Sequence, residues 1–195
     1  DKIGVLIAEG EIVGTKGGDG SIGSDDFVKE LKKLRDNKSV KAIVLRIDSP
    51  GGSSLASEIM WREILLAKKV KPVIASMSNY AASGGYYMAM GADAIVAQPT
   101  TITGSIGVFG VLFNAEKFFK NKLGITFDGT KTAEFADLGD YSRPLSPTEK
   151  NIIQQSVNQI YKDFTNKVAA GRNLPIQKVL NIAGGRVWSG SDALR

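Results

Sequence analysis

Ser83 stands in the segment Asn79-Tyr80-Ala81-Ala82-Ser83-Gly84-Gly85-Tyr86-Tyr87. The pattern predicts a serine after a strand and a turn, opening a helix of small residues. Small neighbours let a substrate and another backbone come close to the hydroxyl. The first N–H groups of a helix have no intrahelical acceptor, and they favour negative charge that develops beside them. That is a setting for a nucleophile, and equally for a helix cap in tight packing.

A second segment, Asp48-Ser49-Pro50-Gly51-Gly52, breaks a strand sharply. Paired glycines reach positive φ and expose backbone N–H groups. Aimed at one point, such donors make an oxyanion hole, where a single donor is worth about 3 kcal/mol. A plain tight turn is the other reading. Asp48 reads as a turn cap, since no imidazole exists for it to orient.

The chain has no histidine and no cysteine. A Ser-His-Asp triad, a cysteine nucleophile, a disulfide, and imidazole or thiolate metal sites are therefore excluded. No metal or cofactor is expected. A serine hydroxyl still needs a proton acceptor, which leaves Lys, Asp or Glu. Neutral lysine serves if burial lowers its pKa from about 10.4 toward 7. Lys131, in the loop after a predicted strand, is the best placed by position. Most other lysines fall on helix faces. Thr101-Ile102-Thr103-Gly104-Ser105-Ile106-Gly107 supplies hydroxyls that could hold a lysine ammonium.

These residues need a scaffold. Apolar runs predict strands at Ile3 to Ala8, Val40 to Ile47, Pro72 to Met77, Ala94 to Ala97 and Ile125 to Asp128. Gly14 to Gly23 reads as a mobile loop, Ser78 to Ala82 as a turn, and Lys131 to Pro144 as a loop. Ser24-Asp25-Asp26 should cap a helix with Phe27, Val28, Leu31 and Leu34 on one face. Further helices are expected over about Ser54 to Lys68, Ser83 to Met90 and Ala115 to Lys122, with a short one near Pro175. Ser146-Pro147-Thr148-Glu149 has a capping-box pattern and should open a long helix to about Ala170. Alternating strands and helices predict an α/β fold, a mostly parallel sheet with helical cover. Chemistry in such folds gathers where strands end.

The 195 residues fit one domain, 1–195, and can bury a core without metal or disulfide staples. The net charge of +5 is spread along the chain, with only short pairs such as Lys32-Lys33, so no nucleic-acid face is expected. No run of about 18 apolar residues occurs. The chain starts at Asp1 and stops soon after Ser-Gly-Ser-Asp, a helix-capping pattern, so a fragment of something longer is expected.

Four segments together resemble the signal peptide peptidase A family, of the protease IV type: Asp48-Ser-Pro-Gly-Gly52, Ala82-Ser83-Gly-Gly-Tyr86, Thr103-Gly-Ser-Ile-Gly107 and Gly185-Arg-Val-Trp188. Their order and spacing are specific, and the resemblance covers nearly the whole chain. It implies a ClpP/crotonase-like fold and a Ser/Lys dyad that hydrolyses peptides, notably remnant signal peptides in bacterial membranes. Ser83 falls on the family's nucleophile, Gly84 and the Gly51-Gly52 pair on its oxyanion donors, and Ser105 on a hydroxyl that supports the lysine. In short members the lysine sits in a segment similar to Lys131-Thr-Ala-Glu-Phe-Ala-Asp137. In tandem-repeat members one repeat supplies the lysine and the other the serine, and this chain is similar to the serine-bearing repeat. The working base is then Lys131, or a lysine on another repeat or subunit. The resemblance also implies a homo-oligomer and a parent protein attached to a bacterial membrane, with this domain outside the cytoplasm and itself soluble. Two other classes stay open: a crotonase-like acyl-CoA enzyme that does not need Ser83, and a non-catalytic half that completes an oligomer.

Overall fold

The computed structural model describes residues 1–194. In chain order the elements are β1 (Lys2–Glu9), β2 (Glu11–Val13), β3 (Ser21–Gly23), α1 (Ser24–Asp36), β4 (Val40–Ser49), α2 (Ser54–Lys68), β5 (Val73–Ala82), α3 (Gly84–Ala89), β6 (Ala94–Val96) and β7 (Ile102–Gly104). Then come α4 (Glu116–Phe118), a π-helical turn (Phe119–Leu123), α5 (Pro147–Arg172), α6 (Ile176–Ile182), β8 (Val187–Ser189) and α7 (Gly190–Ala193).

The main sheet runs β1-β4-β5-β7-β8, with β6 also on β5. All of its pairs are parallel except β7 with β8. Alternation along β4 buries Ile43, Leu45 and Ile47 on one face, where Phe27, Leu31, Met60 and Ile64 of the helices join one apolar cluster. A Val/Ile/Leu-rich strand with helical cover is what a parallel sheet requires.

Two compact units divide the chain. The first comprises Asp1–Gly107 together with the residues from Tyr161 onward, and the second is Val108–Ile160. The first holds the sheet, with a second apolar cluster around Tyr87, Met90, Phe164 and Val168. In the second, the capping box forms as its sequence predicts. The Glu149 amide donates to Ser146 Oγ at 3.2 Å, and the Ser146 amide donates to Glu149 Oε2 at 2.7 Å. Among the described residues no helix is long and apolar enough to cross a membrane.

Several local expectations are corrected. Residues Ser78 to Ala82 are not a turn: β5 runs on to Ala82. Asp48 holds the polar stretch extended by accepting from the Tyr80 amide (3.0 Å) and Asn79 Nδ2 (3.1 Å). Gly14 to Gly23 is not all loop, because Ser21–Gly23 pairs with Glu11–Val13. Gly17 and Gly23 serve close backbone approach, since a Cβ on Gly23 would lie 2.1 Å from the Gly17 nitrogen. Ser24 and Asp26 do not cap α1. They accept instead from the Thr15 and Gly17 amides and so tie that loop down. Ile125 to Asp128 forms no strand. The Ile125 amide closes the π-helical turn on Phe119 O, and the Phe127 ring packs against Phe119 at 4.9 Å.

Candidate active site

Ser83 is the one residue between β5 and α3, and its backbone sits at φ +51°, ψ −116°. A non-glycine residue there carries strain, held only if its surroundings over-determine it. The surroundings do. The Ser83 amide donates to Gly104 O at 2.9 Å, and its carbonyl accepts from the Tyr87 amide at 2.8 Å. The side chain remains half-buried.

The end of β4 comes against this elbow. Gly51 and Gly52 have φ of +106° and +151°. Position 51 admits no side chain: a Cβ would lie 2.7 Å from the Gly84 nitrogen and 2.8 Å from Ser83 Cβ. Gly84 is equally confined, its hypothetical Cβ 2.5 Å from Ser57 Oγ and 2.9 Å from Ile12 Cδ1. A Cβ on Gly85 would lie 2.6 Å from Ser49 O. Glycine at these positions is what lets the two loops meet.

The amides divide into used and unused. Gly51 N–H donates to Ser49 Oγ at 3.2 Å, and Gly51 O accepts from the Ile12 amide at 2.8 Å. The Gly52 and Gly84 amides find no acceptor among the described residues. Gly52 is exposed and Gly84 buried, the first residue of α3. Unengaged donors next to a half-buried hydroxyl, as the Gly84 amide is by its place in the chain, can stabilise an anion. Ser49 is not among the site residues expected above. Its signal was a serine two residues before a glycine, which can fold its hydroxyl back onto a local amide.

The hydroxyl segment is mostly committed to the backbone. Thr101 Oγ1 donates to Ser78 O at 2.7 Å, and Thr103 Oγ1 donates to Ala81 O at 2.9 Å. Ser105, at φ +48°, donates to Gly185 O at 3.3 Å, and its amide donates to Arg186 O at 2.8 Å. These bonds tie the end of β5 to β7 and on toward β8. Arg186 lies over the Trp188 ring at 4.0 Å.

Lys131 belongs to the second unit. Its Nζ is 3.1 Å from Asp137 Oδ1. Arg143 Nε donates to Asp137 Oδ2 at 2.7 Å, and Arg143 also grips the Glu149 carboxylate with Nη1 and Nη2 at 2.9 and 2.5 Å. Arg143 first, then Lys131, hold the Asp137 carboxyl far below its ordinary value. Arg143 and then the Ser146 amide hold Glu149 at about 2. The structure thus brings Gly51 against Ser83 and Gly84 in the first unit, with Gly52 next in the chain beside Ile12, and with Ser105 just beyond the strand that carries Gly104. Lys131 is placed in an ion pair within the second. Among the described residues no group of three acidic side chains could hold a metal ion.

Residues 66–195 match the family model described as Peptidase family S49. The chain is 44% identical over 198 residues to the chloroplastic serine protease SPPA of Arabidopsis thaliana, covering 99% of this chain and 29% of that protein. It is 41% identical over 196 residues to protease 4 of Haemophilus influenzae, covering 100% of this chain and 32% of that protein. The chain therefore spans about a third of the length of these relatives. A solved mutant of ClpP1 from Listeria monocytogenes superposes with a TM-score of 0.62 at 14% identity, over 97% of this chain and 84% of that one. At that identity the likeness shows the fold alone: a ClpP-like α/β fold with a mostly parallel sheet.

Proposed function

The chain belongs to peptidase family S49, and on that premise we propose that it is a serine endopeptidase domain whose nucleophile is Ser83. The observation that carries the reading is the strained Ser83 backbone pressed against side-chain-free Gly51, beside the unengaged amides of Gly52 and Gly84. Ser83 Oγ attacks the scissile carbonyl carbon and gives its proton to a neutral lysine amine. The carbonyl oxygen becomes an oxyanion, received by the Gly84 and Gly52 N–H groups. The lysine returns the proton to the leaving amine, and an ester joins the acyl half to Ser83. Water, deprotonated by the same amine, then releases the acid.

The proposed base is Lys131, supported by the family resemblance of its segment. Its ion pair with Asp137 must open and its ammonium must give up a proton to solvent before the neutral amine can accept one from Ser83. Ser105, one residue past Gly104, is proposed to steady the lysine once it is in place. A lysine supplied by another repeat or another copy of the chain fills the same role if Lys131 does not. Substrates are proposed to be apolar peptides such as signal peptides released into a membrane, in keeping with the small residues around Ser83. A homo-oligomer and a membrane-attached parent, with this domain outside the cytoplasm, complete the proposal.

A serine-directed acylating probe applied to the native full-length protein tests the reading. Parent protein should be labelled and Ser83→Ala should not. Equal labelling of both sinks it.

A further inference from the structure

Ser83 is followed by a helix of only six residues, α3, whose N-cap residue makes no side-chain hydrogen bond. Such a short helix does not hold its own position, so the strained serine at its head depends on what grips the helix. Met88 and Ala89 bury into the main apolar cluster, and Tyr87 adds a polar grip. Its amide donates to the Ser83 carbonyl at 2.8 Å, which places it one turn along. The residue is 6% exposed. The phenol donates to Glu58 Oε2 at 2.5 Å and accepts from Lys167 Nζ at 3.0 Å. Lys167 also lies 2.5 Å from that Glu58 oxygen and over the Trp61 ring at 4.6 Å. The Tyr87 ring itself is wedged between Trp61, edge-on at 6.1 Å, and Phe164 at 4.6 Å.

Glu58 lies in the second turn of α2, and α2 is capped by Ser53, the residue directly after Gly51-Gly52. The Tyr87–Glu58 bond therefore links the helix that starts at the nucleophile to the helix that starts at the oxyanion loop. We propose that Tyr87 is a positioning residue for Ser83, which uses its phenol on Glu58 and Lys167 to hold α3 in register with α2. The inference rests on the reading of Ser83 as nucleophile. Burial, then the Glu58 carboxylate, push the Tyr87 phenol far above its ordinary value, so it stays a neutral donor throughout the working pH range.

The test is stopped-flow acylation of the native full-length protein by the serine-directed probe, read as a maximal rate constant and a half-saturating probe concentration. Tyr87→Phe keeps the ring stack and removes only the hydroxyl. A shift of the nucleophile by a fraction of an ångström should lower the maximal rate roughly tenfold, with the half-saturating concentration and thermal midpoint little changed. Glu58→Gln, whose amide oxygen still accepts from the phenol, should keep most of the rate. Glu58→Leu should behave as Tyr87→Phe, and this pair decides the matter if Tyr87→Phe fails to fold. A parental rate in Tyr87→Phe overturns the inference, as does a loss of rate that merely tracks a fall in thermal midpoint. With Ser83→Ala unlabelled, such a result leaves Ser83 standing and removes only the role of Tyr87. If Ser83→Ala is labelled like the parent, the nucleophile reading fails and the inference goes with it.

Discussion

A Cβ built on Gly51 would stand 2.8 Å from the Cβ of Ser83. Two loops that leave different strands, β4 and β5, thus touch through backbone at the point where chemistry is proposed. The contact exists because position 51 carries no side chain, and because φ of +106° is open to glycine.

Gly51→Ala should therefore separate Ser83 from the proposed oxyanion donors. Acylation by a serine-directed probe is expected to fall by about 100-fold or more, with a lower thermal midpoint. Gly20→Ala is the control. Its φ of +74° brings backbone strain, yet a Cβ there meets nothing within 4 Å. It should cost about 1 kcal/mol and leave acylation unchanged. Unaltered acylation in Gly51→Ala would contradict the proposed site.

Ser83→Gly should remove the hydroxyl and release the strain at φ +51°. Strain of this kind is worth about 1–3 kcal/mol, offset by roughly 0.5–1 kcal/mol of extra chain entropy in glycine. The variant should be unreactive and about 1 kcal/mol more stable in urea titration. A less stable Ser83→Gly would mean that the backbone there is not strained by its side chain.

Glu149 gives a pH signature. Arg143 and then the Ser146 amide hold its carboxyl at about 2, below its ordinary 4.5. Folded-state depression of a carboxyl stabilises fully above the ordinary value and is lost as pH falls toward the depressed one. Asp137, held down by Arg143 and Lys131, acts in the same direction. The thermal midpoint of the parent should fall between about pH 5 and pH 2, and Glu149→Gln should flatten part of that slope. Superimposable profiles would show that the Arg143 pairing does not persist in solution.

Lys131→Met tests the base. A general base contributes about 10²–10⁴-fold, so acylation should drop within that range while the thermal midpoint changes little. The lysine side chain is 45% exposed and its pairing lies in a loop. Full acylation in Lys131→Met would assign the base to a different lysine.

Much of this was legible in the residues. The glycines at 51, 52 and 84 read as places for exposed backbone donors; what the structure shows of them is close approach, with Gly51 and Gly84 too confined for a side chain. The capping box at Ser146 and Glu149 formed as written, because its geometry is local. What escaped was non-local. Ser78, Asn79 and Tyr80 read as a turn by composition, yet Asp48 from the neighbouring strand holds them extended. Ile125 to Asp128 has strand-like residues but no strand to pair with, so the aromatic packing of Phe127 on Phe119 decides its path. Tyr87, Glu58 and Lys167 lie on three helices, and no spacing in the chain announces that they meet. The place of Lys131 in an ion pair with Asp137 depends on the fold of a loop without periodicity.

The far edge of β5 changes partner along its length, pairing with β6 over Ile74 to Ser76 and with β7 over Tyr80 to Ala82. The strand that leads into Ser83 is therefore closed differently along its two halves. Its first half is locked into the apolar centre with Ile43, Leu45 and Ile47, whereas its second half keeps Ala81 in that centre but is closed on its outer side by two three-residue strands, β7 and β8. In amide hydrogen exchange these halves should separate, because short outer pairs open at a lower free-energy cost than a buried centre. The Ser83 amide, bonded to Gly104 O, should exchange with the β7–β8 pair and not with the core. A peptide lying across that pair should slow exchange of the Ser83 amide, so deuterium uptake there would report its binding without any turnover.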